Sequence, residues 1–190
     1  MRRIRLPIHT AQLAVFGLVV VAVSGCSQTK SELELCQPLS VGNTWVYGYP
    51  SAPARPPDTF RVYGSYRWHD ITIYRAATMK GDQPQWDSLR MYVTNGELRV
   101  AYSPPENDSN DYVVILKEPI EVGNAWLSGG GGSFSITSTA EHCVVTAGTF
   151  DKCVAVRDGD YTEYYAPGVG RLAVARDGVN AVELLSYTLK

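Results

Sequence analysis

Two patterns of hydrophobic and polar residues divide this chain. From Ala11 to Val23 the residues are nearly all apolar, with Leu13, Val15, Phe16, Leu18, Val19, Val20 and Val21 in the run and Arg2, Arg3 and Arg5 before it. The run is shorter than the ~20 residues a membrane-spanning helix needs, and a basic flank ahead of a short apolar core is the pattern of a cleaved export signal helix. Ser27 to Leu35 then reads as a polar tether reaching at most ~30 Å at ~3.5 Å per residue. Beyond it the hydrophobic period falls to two. Thr59–Tyr63, Ile71–Arg75, Trp86–Thr94, Glu97–Tyr102, Asp111–Lys117, Phe134–Ala147, Phe150–Val156, Tyr161–Ala166, Leu172–Ala175 and Val179–Leu189 alternate as strands do. Asn95-Gly96, Asp158-Gly159 and Asp177-Gly178 mark hairpins, and a further one is expected about Ala147-Gly148-Thr149. Pro50–Pro57 carries too much Pro to pair centrally and reads as a loop. About a dozen short strands with no amphipathic helix after the signal predict an all-β fold, a twisted antiparallel sheet curled into an open or closed barrel.

One phrase occurs twice. Pro38-Leu39-Ser40-Val41-Gly42-Asn43-Thr44-Trp45-Val46 returns 81 positions later as Pro119-Ile120-Glu121-Val122-Gly123-Asn124-Ala125-Trp126-Leu127. Its physical reading is an extended entry, a Gly-Asn turn and a strand opening on a buried Trp, and its recurrence suggests two related halves.

The apolar segment ends in Val23-Ser24-Gly25-Cys26. This resembles the lipobox of bacterial lipoprotein precursors: an aliphatic residue, a small one, Gly or Ala, then Cys. The resemblance implies a diacylglyceryl thioether on Cys26, cleavage after Gly25 and acylation of the new amine, hence a membrane partner reached through covalent lipid. Several acyl chains at ~0.8 kcal/mol per buried methylene hold where one would not. Ser27, in place of an Asp, implies the periplasmic face of the outer membrane if the cell has two. The expected organisation is signal peptide 1–25, lipidated Cys and tether 26–36, and a single β-domain 37–190.

Charge narrows the partners. The signal takes three of the 17 basic residues and none of the 19 acidic ones, leaving the mature chain at a net charge near −5 with no Lys/Arg cluster. That argues against nucleic acid and against broad docking on anionic lipid.

Candidate chemistry is sparse. Cys36, Cys143 and Cys153 remain besides Cys26, an odd number in an oxidising envelope. Cys143 and Cys153 stand directly opposed if their hairpin loop has three residues, whereas a one-residue slip would put them on unlike faces. Cys36 bonded to either, or three thiols, are the rivals. His142 beside Cys143, and His69 beside Asp70, point to opposite faces of a strand, so neither adjacent pair is a catalytic pair. The run holding Asp108, Asn110 and Asp111 offers oxygen ligands but lacks the Gly turn and final Glu of a calcium loop, and reads as solvated. Gly129–Gly132 lacks the Lys-Ser/Thr of a phosphate loop. No cofactor is expected, and nothing marks an enzyme.

Three phrases carry a second resemblance: the repeated Val-Gly-Asn-x-Trp, Ala147-Gly148-Thr149-Phe150-Asp151-Lys152-Cys153, and Tyr164-Tyr165-Ala166-Pro167-Gly168-Val169-Gly170. They are similar to a broad group of uncharacterised β-rich envelope lipoproteins, which implies a fold and an address and no reaction. In that group an aliphatic residue usually follows the last phrase. Arg171 stands there instead, so this corner is expected to face solvent. A fold-level analogy with half-barrel lipoprotein carriers adds an alternative to a noncatalytic binding or envelope-support role: a carrier or chaperone for an apolar ligand.

Overall fold

The computed structural model describes residues 31–81, 86–104, 111–129 and 131–190. After one short helix, α1 (Glu32–Cys36), come twelve strands: β1 Thr44–Gly48, β2 Asp58–Trp68, β3 Ile71–Met79, β4 Trp86–Thr94, β5 Glu97–Ala101, β6 Tyr112–Lys117, β7 Ala125–Leu127, β8 Ser133–Val145, β9 Gly148–Asp158, β10 Tyr161–Ala166, β11 Gly170–Arg176 and β12 Val179–Thr188. All lie in one antiparallel sheet, in the order β6-β5-β4-β3-β2-β1-β12-β11-β10-β9-β8-β7. Two six-stranded meanders are thus laid side by side in the same sense and joined where β1 pairs with β12 (Trp45 opposite Tyr187). The all-β reading holds, and the sheet curls into a nearly closed barrel.

The repeated phrase builds the same corner in each half. Gly42 and Gly123 take φ of 102° and 92°, which a side chain would strain. Asn43 and Asn124 each donate a side-chain N–H to the Pro that opens the phrase, Pro38 O at 3.0 Å and Pro119 O at 2.8 Å. Each Asn backbone oxygen accepts from the neighbouring strand, from Val62 N and from Ile136 N, both at 2.9 Å. Trp45 and Trp126 then turn inward and each meets a Phe directly across the ladder, Phe60 and Phe134.

The hairpin turns fall as alternation predicts. Asn95 and Gly96 (φ 52° and 67°), like Asp177 and Gly178 (51° and 78°), take the left-handed pair that matches strand twist. Two places differ. The β8–β9 turn is Thr146-Ala147, so Cys143 pairs with Phe150 and Glu141 with Cys153. The residues from Glu32 to Cys36 are not tether. Ser31 accepts from the Glu34 amide and the Glu34 side chain accepts from the Ser31 amide, a capping box that starts a helical turn. Five residues are too few to show a period, but Leu33 and Cys36, three apart, both bury. Burying Leu33 alone contributes ~1.5–3 kcal/mol. The Leu35 carbonyl accepts from Gly168 N at 2.7 Å, tying α1 to the corner before β11.

The main core is the concave face. By register Trp45, Tyr47, Phe60, Ala76, Met91, Leu98 and Leu116 share it, with Leu33 and Leu39 entering from α1 and the segment after it. A small second cluster, Ile73, Tyr92 and Ala101, forms beneath Tyr66, Trp68 and Tyr112.

Candidate functional site

The concave face is not filled to the end. Residues from β1 to β6 and from β10 and β11 line one half-open cavity of about 200 Å³. β6 and β11 are seven places apart in the sheet, so they share a cavity because the sheet curls. Its wall is apolar on the first half: Phe60, Leu89, Met91, Val100, Val113 and Ile115, with Thr78 between them. Its other end is polar: Gln37, Tyr47, Tyr165 and Arg171.

That polar end is a connected cluster. Gly170, with φ 111°, brings its backbone so near Gln37 and Trp45 that a Cβ there would lie 3.0 Å from Gln37 Oε1 and 3.1 Å from Trp45 Nε1. The close approach lets the Arg171 amide donate to Gln37 Oε1 at 3.1 Å, while Trp45 Nε1 donates to Val169 O at 2.7 Å. The Tyr47 hydroxyl donates to Arg171 O at 3.0 Å, and the guanidinium carbon sits 5.3 Å from the Tyr47 ring centre. Arg171 Nη1 lies 3.5 Å from Glu163 Oε1, and the Tyr165 hydroxyl donates to the other Glu163 oxygen.

The corner faces solvent at Pro167 and Gly168, as expected, but the Arg171 side chain after it turns to the cavity. Across the ladder it faces Tyr165, and Glu163 supplies the countercharge that an inward guanidinium needs. Solvent reaches 38 % of its side chain because it faces the cavity. Burial would lower the Arg171 pKa, but Glu163 and the phenols of Tyr47 and Tyr165 outweigh it and raise it. Burial, then Glu163, pushes the Tyr165 phenol well up. Tyr47 is raised by burial first, against the pull of Arg171. The cluster thus sets a guanidinium whose charge is reinforced beside two phenols whose ionisation is suppressed.

A strap, the Pro-rich loop, lies within electrostatic reach of this end. Asp58, nearly buried at the start of β2, accepts from the Tyr49 hydroxyl and from Gly81 N at 2.9 Å, and pairs with Arg55 at 3.4 Å. Arg55 stacks on the Tyr49 ring, 3.6 Å from its centre. Burial and Asp58 push the Tyr49 phenol up to about 12, and Arg171 is close enough to act on it in the other sense. The Pro-rich loop is pinned by this anchor.

The other candidates disperse. His142 finds a partner across its hairpin, Asp151, at 2.6 Å from Nδ1, but both side chains are exposed, at 62 % and 81 %. The cleft beside them is lined by Cys143 and Tyr164 and by no Ser or Thr. The Cys143 thiol is pushed up to about 12 by burial and by Cys153, so it is protonated and a poor nucleophile. His69 is a turn residue (φ 51°) with its ring edge on Trp68. Cys36 is buried in α1, its thiol pushed up to about 11 by burial and by Glu32. Asp111 is exposed, while Asp108, Asn110 and Cys26 lie outside the described residues. Among the described residues no three His, Cys, Asp or Glu side chains converge on a point, and no helix is long and apolar enough to cross a membrane. Sequence reading missed the cavity cluster. The one signal was Arg171 itself, a charge directly after the Tyr164–Gly170 phrase.

Cavity and barrel together define a class: a curled antiparallel sheet of two meanders, with a partly hollow concave face. Solved structures of the same fold exist. A "putative lipoprotein" from Parabacteroides distasonis superposes with a TM-score of 0.51 at 15% identity, over 81% of this chain and 98% of that one. A "putative exported protein with YmcC-like fold" from Bacteroides fragilis gives 0.52 at 13% identity, over 82% and 99%. At such identities the likeness is one of fold. No family description matches the chain, and no curated protein does.

Proposed function

We propose that this protein is a lipid-anchored, extracytoplasmic β-domain that works by noncatalytic binding in its concave cavity, held close to a bilayer by the acylated Cys26. The observation that carries the reading is the cavity: about 200 Å³ of half-open space with an apolar wall and a polar end. A domain of purely supporting function has no need to leave its core unfilled. The address is supported by the Val23-Ser24-Gly25-Cys26 lipobox. The names of the two fold neighbours, a lipoprotein and an exported protein, agree with it. The volume bears on the carrier alternative. Pockets for whole drug-sized ligands run to roughly 300–1,000 Å³, so this one takes a single chain or group and not a complete diacyl lipid.

The test has two arms. Intact mass spectrometry of the native protein is expected to show Cys26 at the N-terminus carrying the acyl groups, and Cys26→Ser to leave the precursor uncleaved. A bare, processed N-terminus would refute the anchor. Native mass spectrometry of the gently extracted protein is expected to find a small bound amphiphile, displaced in a Leu89→Trp variant that fills the cavity.

A further inference from the structure

The polar end of the cavity is balanced in charge. Arg171 faces Glu163 at 3.5 Å, and at the strap Arg55 faces Asp58 at 3.4 Å. It is not balanced in hydrogen bonds. Gln37 is only 4 % exposed, and it lines the cavity. Its Oε1 is taken by the Arg171 amide, which fixes the orientation of the side-chain amide. Its Nε2 makes no hydrogen bond to the protein among the described residues, and it is not sealed in: it opens to the cavity that Gln37 lines. A donor that opens to a cavity and has no protein acceptor is served by water or by a ligand that brings one. Arg171 adds to the excess. A guanidinium has five N–H donors, more than Glu163 beside one arm of the fork and the Tyr47 hydroxyl can take up. The cavity thus offers donors at one end, hydrocarbon along the wall and no net charge.

We propose that the cavity binds an uncharged acyl group, the carbonyl of an ester or amide with a short hydrocarbon chain. The carbonyl oxygen accepts from Gln37 Nε2 and Arg171, and the chain lies along Phe60, Leu89, Met91 and Val100. A carboxylate fits less well, because it brings an unbalanced negative charge in beside Glu163. An ammonium brings one in beside Arg171 and has nothing to accept from Gln37. The size agrees. An apolar cavity of ~150 Å³ takes up benzene, so one a third larger holds roughly seven to nine non-hydrogen atoms. This proposal rests on the cavity being a binding site at all.

The acylated protein in nanodiscs of ether-linked phospholipid, which carry no ester carbonyl, can be titrated calorimetrically against empty discs. The probes are methyl hexanoate, hexanoate, hexylamine and hexane. Methyl hexanoate is expected to bind at least roughly tenfold more tightly than the other three. Gln37→Glu keeps the acceptor for the Arg171 amide and removes the free donors. It is expected to weaken methyl hexanoate at least roughly tenfold while the thermal transition stays cooperative. Leu89→Trp is expected to abolish binding. Hexanoate or hexane binding as well as the ester, or ester binding that survives Gln37→Glu unchanged, would overturn the proposal and leave the cavity a binding site. Failure of all four probes on the unaltered protein would overturn both.

Discussion

Lys152, a non-glycine residue at φ 56°, decides how two thiols meet. The two-residue turn at Thr146-Ala147 puts Cys143 opposite Phe150, and on a regular ladder Cys153 would then point to the other face. The ladder is not regular there: it slips between Glu141 and Cys143, and the extra residue on β9 is taken up at Asp151-Lys152. The bulge returns Cys153 to the side of Cys143, near enough for each thiol to act on the titration of the other. Cys36 stands apart in α1, beside Glu32. In the exported protein, non-reducing peptide mapping is expected to find one Cys143–Cys153 bridge and Cys36 as a thiol, and any peptide pair joined through Cys36 would refute this. Cys36, with its pKa pushed up to about 11, is expected to resist iodoacetamide at pH 8 until the chain is denatured. Because the bridge closes a short loop, Cys153→Ser is expected to lower stability by ~2–3 kcal/mol in a denaturant titration under oxidising conditions.

At the scale of elements, the repeated corner makes a paired prediction. Asn43 bonds Pro38 O through Nδ2 and accepts from the Lys190 amide through Oδ1, at 2.8 Å. Asn124 bonds Pro119 O and Lys117 O through Nδ2, at 2.8 and 2.9 Å. Each fixes the turn that launches a buried Trp. Asn43→Ala and Asn124→Ala are each expected to cost ~1–3 kcal/mol, with Asn43→Ala the larger because that side chain is almost wholly buried. Lying in different corners, the two losses should add to within ~0.5 kcal/mol, and urea midpoints of the two single variants and the double variant check it. The corner was readable beforehand because Gly-Asn and Trp carry local information, and the strands were readable because a half-buried strand alternates. α1 was not, because its five residues are held by a capping box and by Leu33 entering a core the chain has yet to build. The bulge at Lys152 was not, because it answers to the curl of the finished sheet. That the corner before Arg171 faces solvent was readable, but the turn of the Arg171 side chain into the cavity was not. Only strand pairing brings Glu163 and Tyr165 beside Arg171.

At the scale of the whole molecule, the two halves share a topology and use their interiors differently. In the second half the β8–β9 tip folds onto β12: Ala147 N donates to Leu184 O at 3.0 Å and Thr146 Oγ1 to Glu183 at 2.6 Å. In the first half no such contact joins the β2–β3 tip to β6 among the described residues, and the cavity wall is drawn from that half. The seam where the sheet nearly closes, between β6 and β7, is held by side chains in place of a ladder. Val114 N donates to Ser128 Oγ at 2.9 Å, Trp126 Nε1 donates to Val114 O at 2.9 Å, and Asn124 reaches Lys117 O. A short capped edge of this kind satisfies the groups that would otherwise recruit a foreign strand. Ser128→Ala removes the acceptor of a buried amide and alters volume little, so it is expected to cost ~1–3 kcal/mol. The loss should be local. Hydrogen exchange of the Val114 amide should quicken by roughly tenfold to a hundredfold, about tenfold for each 1.4 kcal/mol, while amides of β9 in the middle of the second meander quicken less. Equal acceleration at both places would mean that the barrel opens as one unit. In that case the seam would share the stability of the whole sheet, and the cavity behind β6 would have no gate of its own.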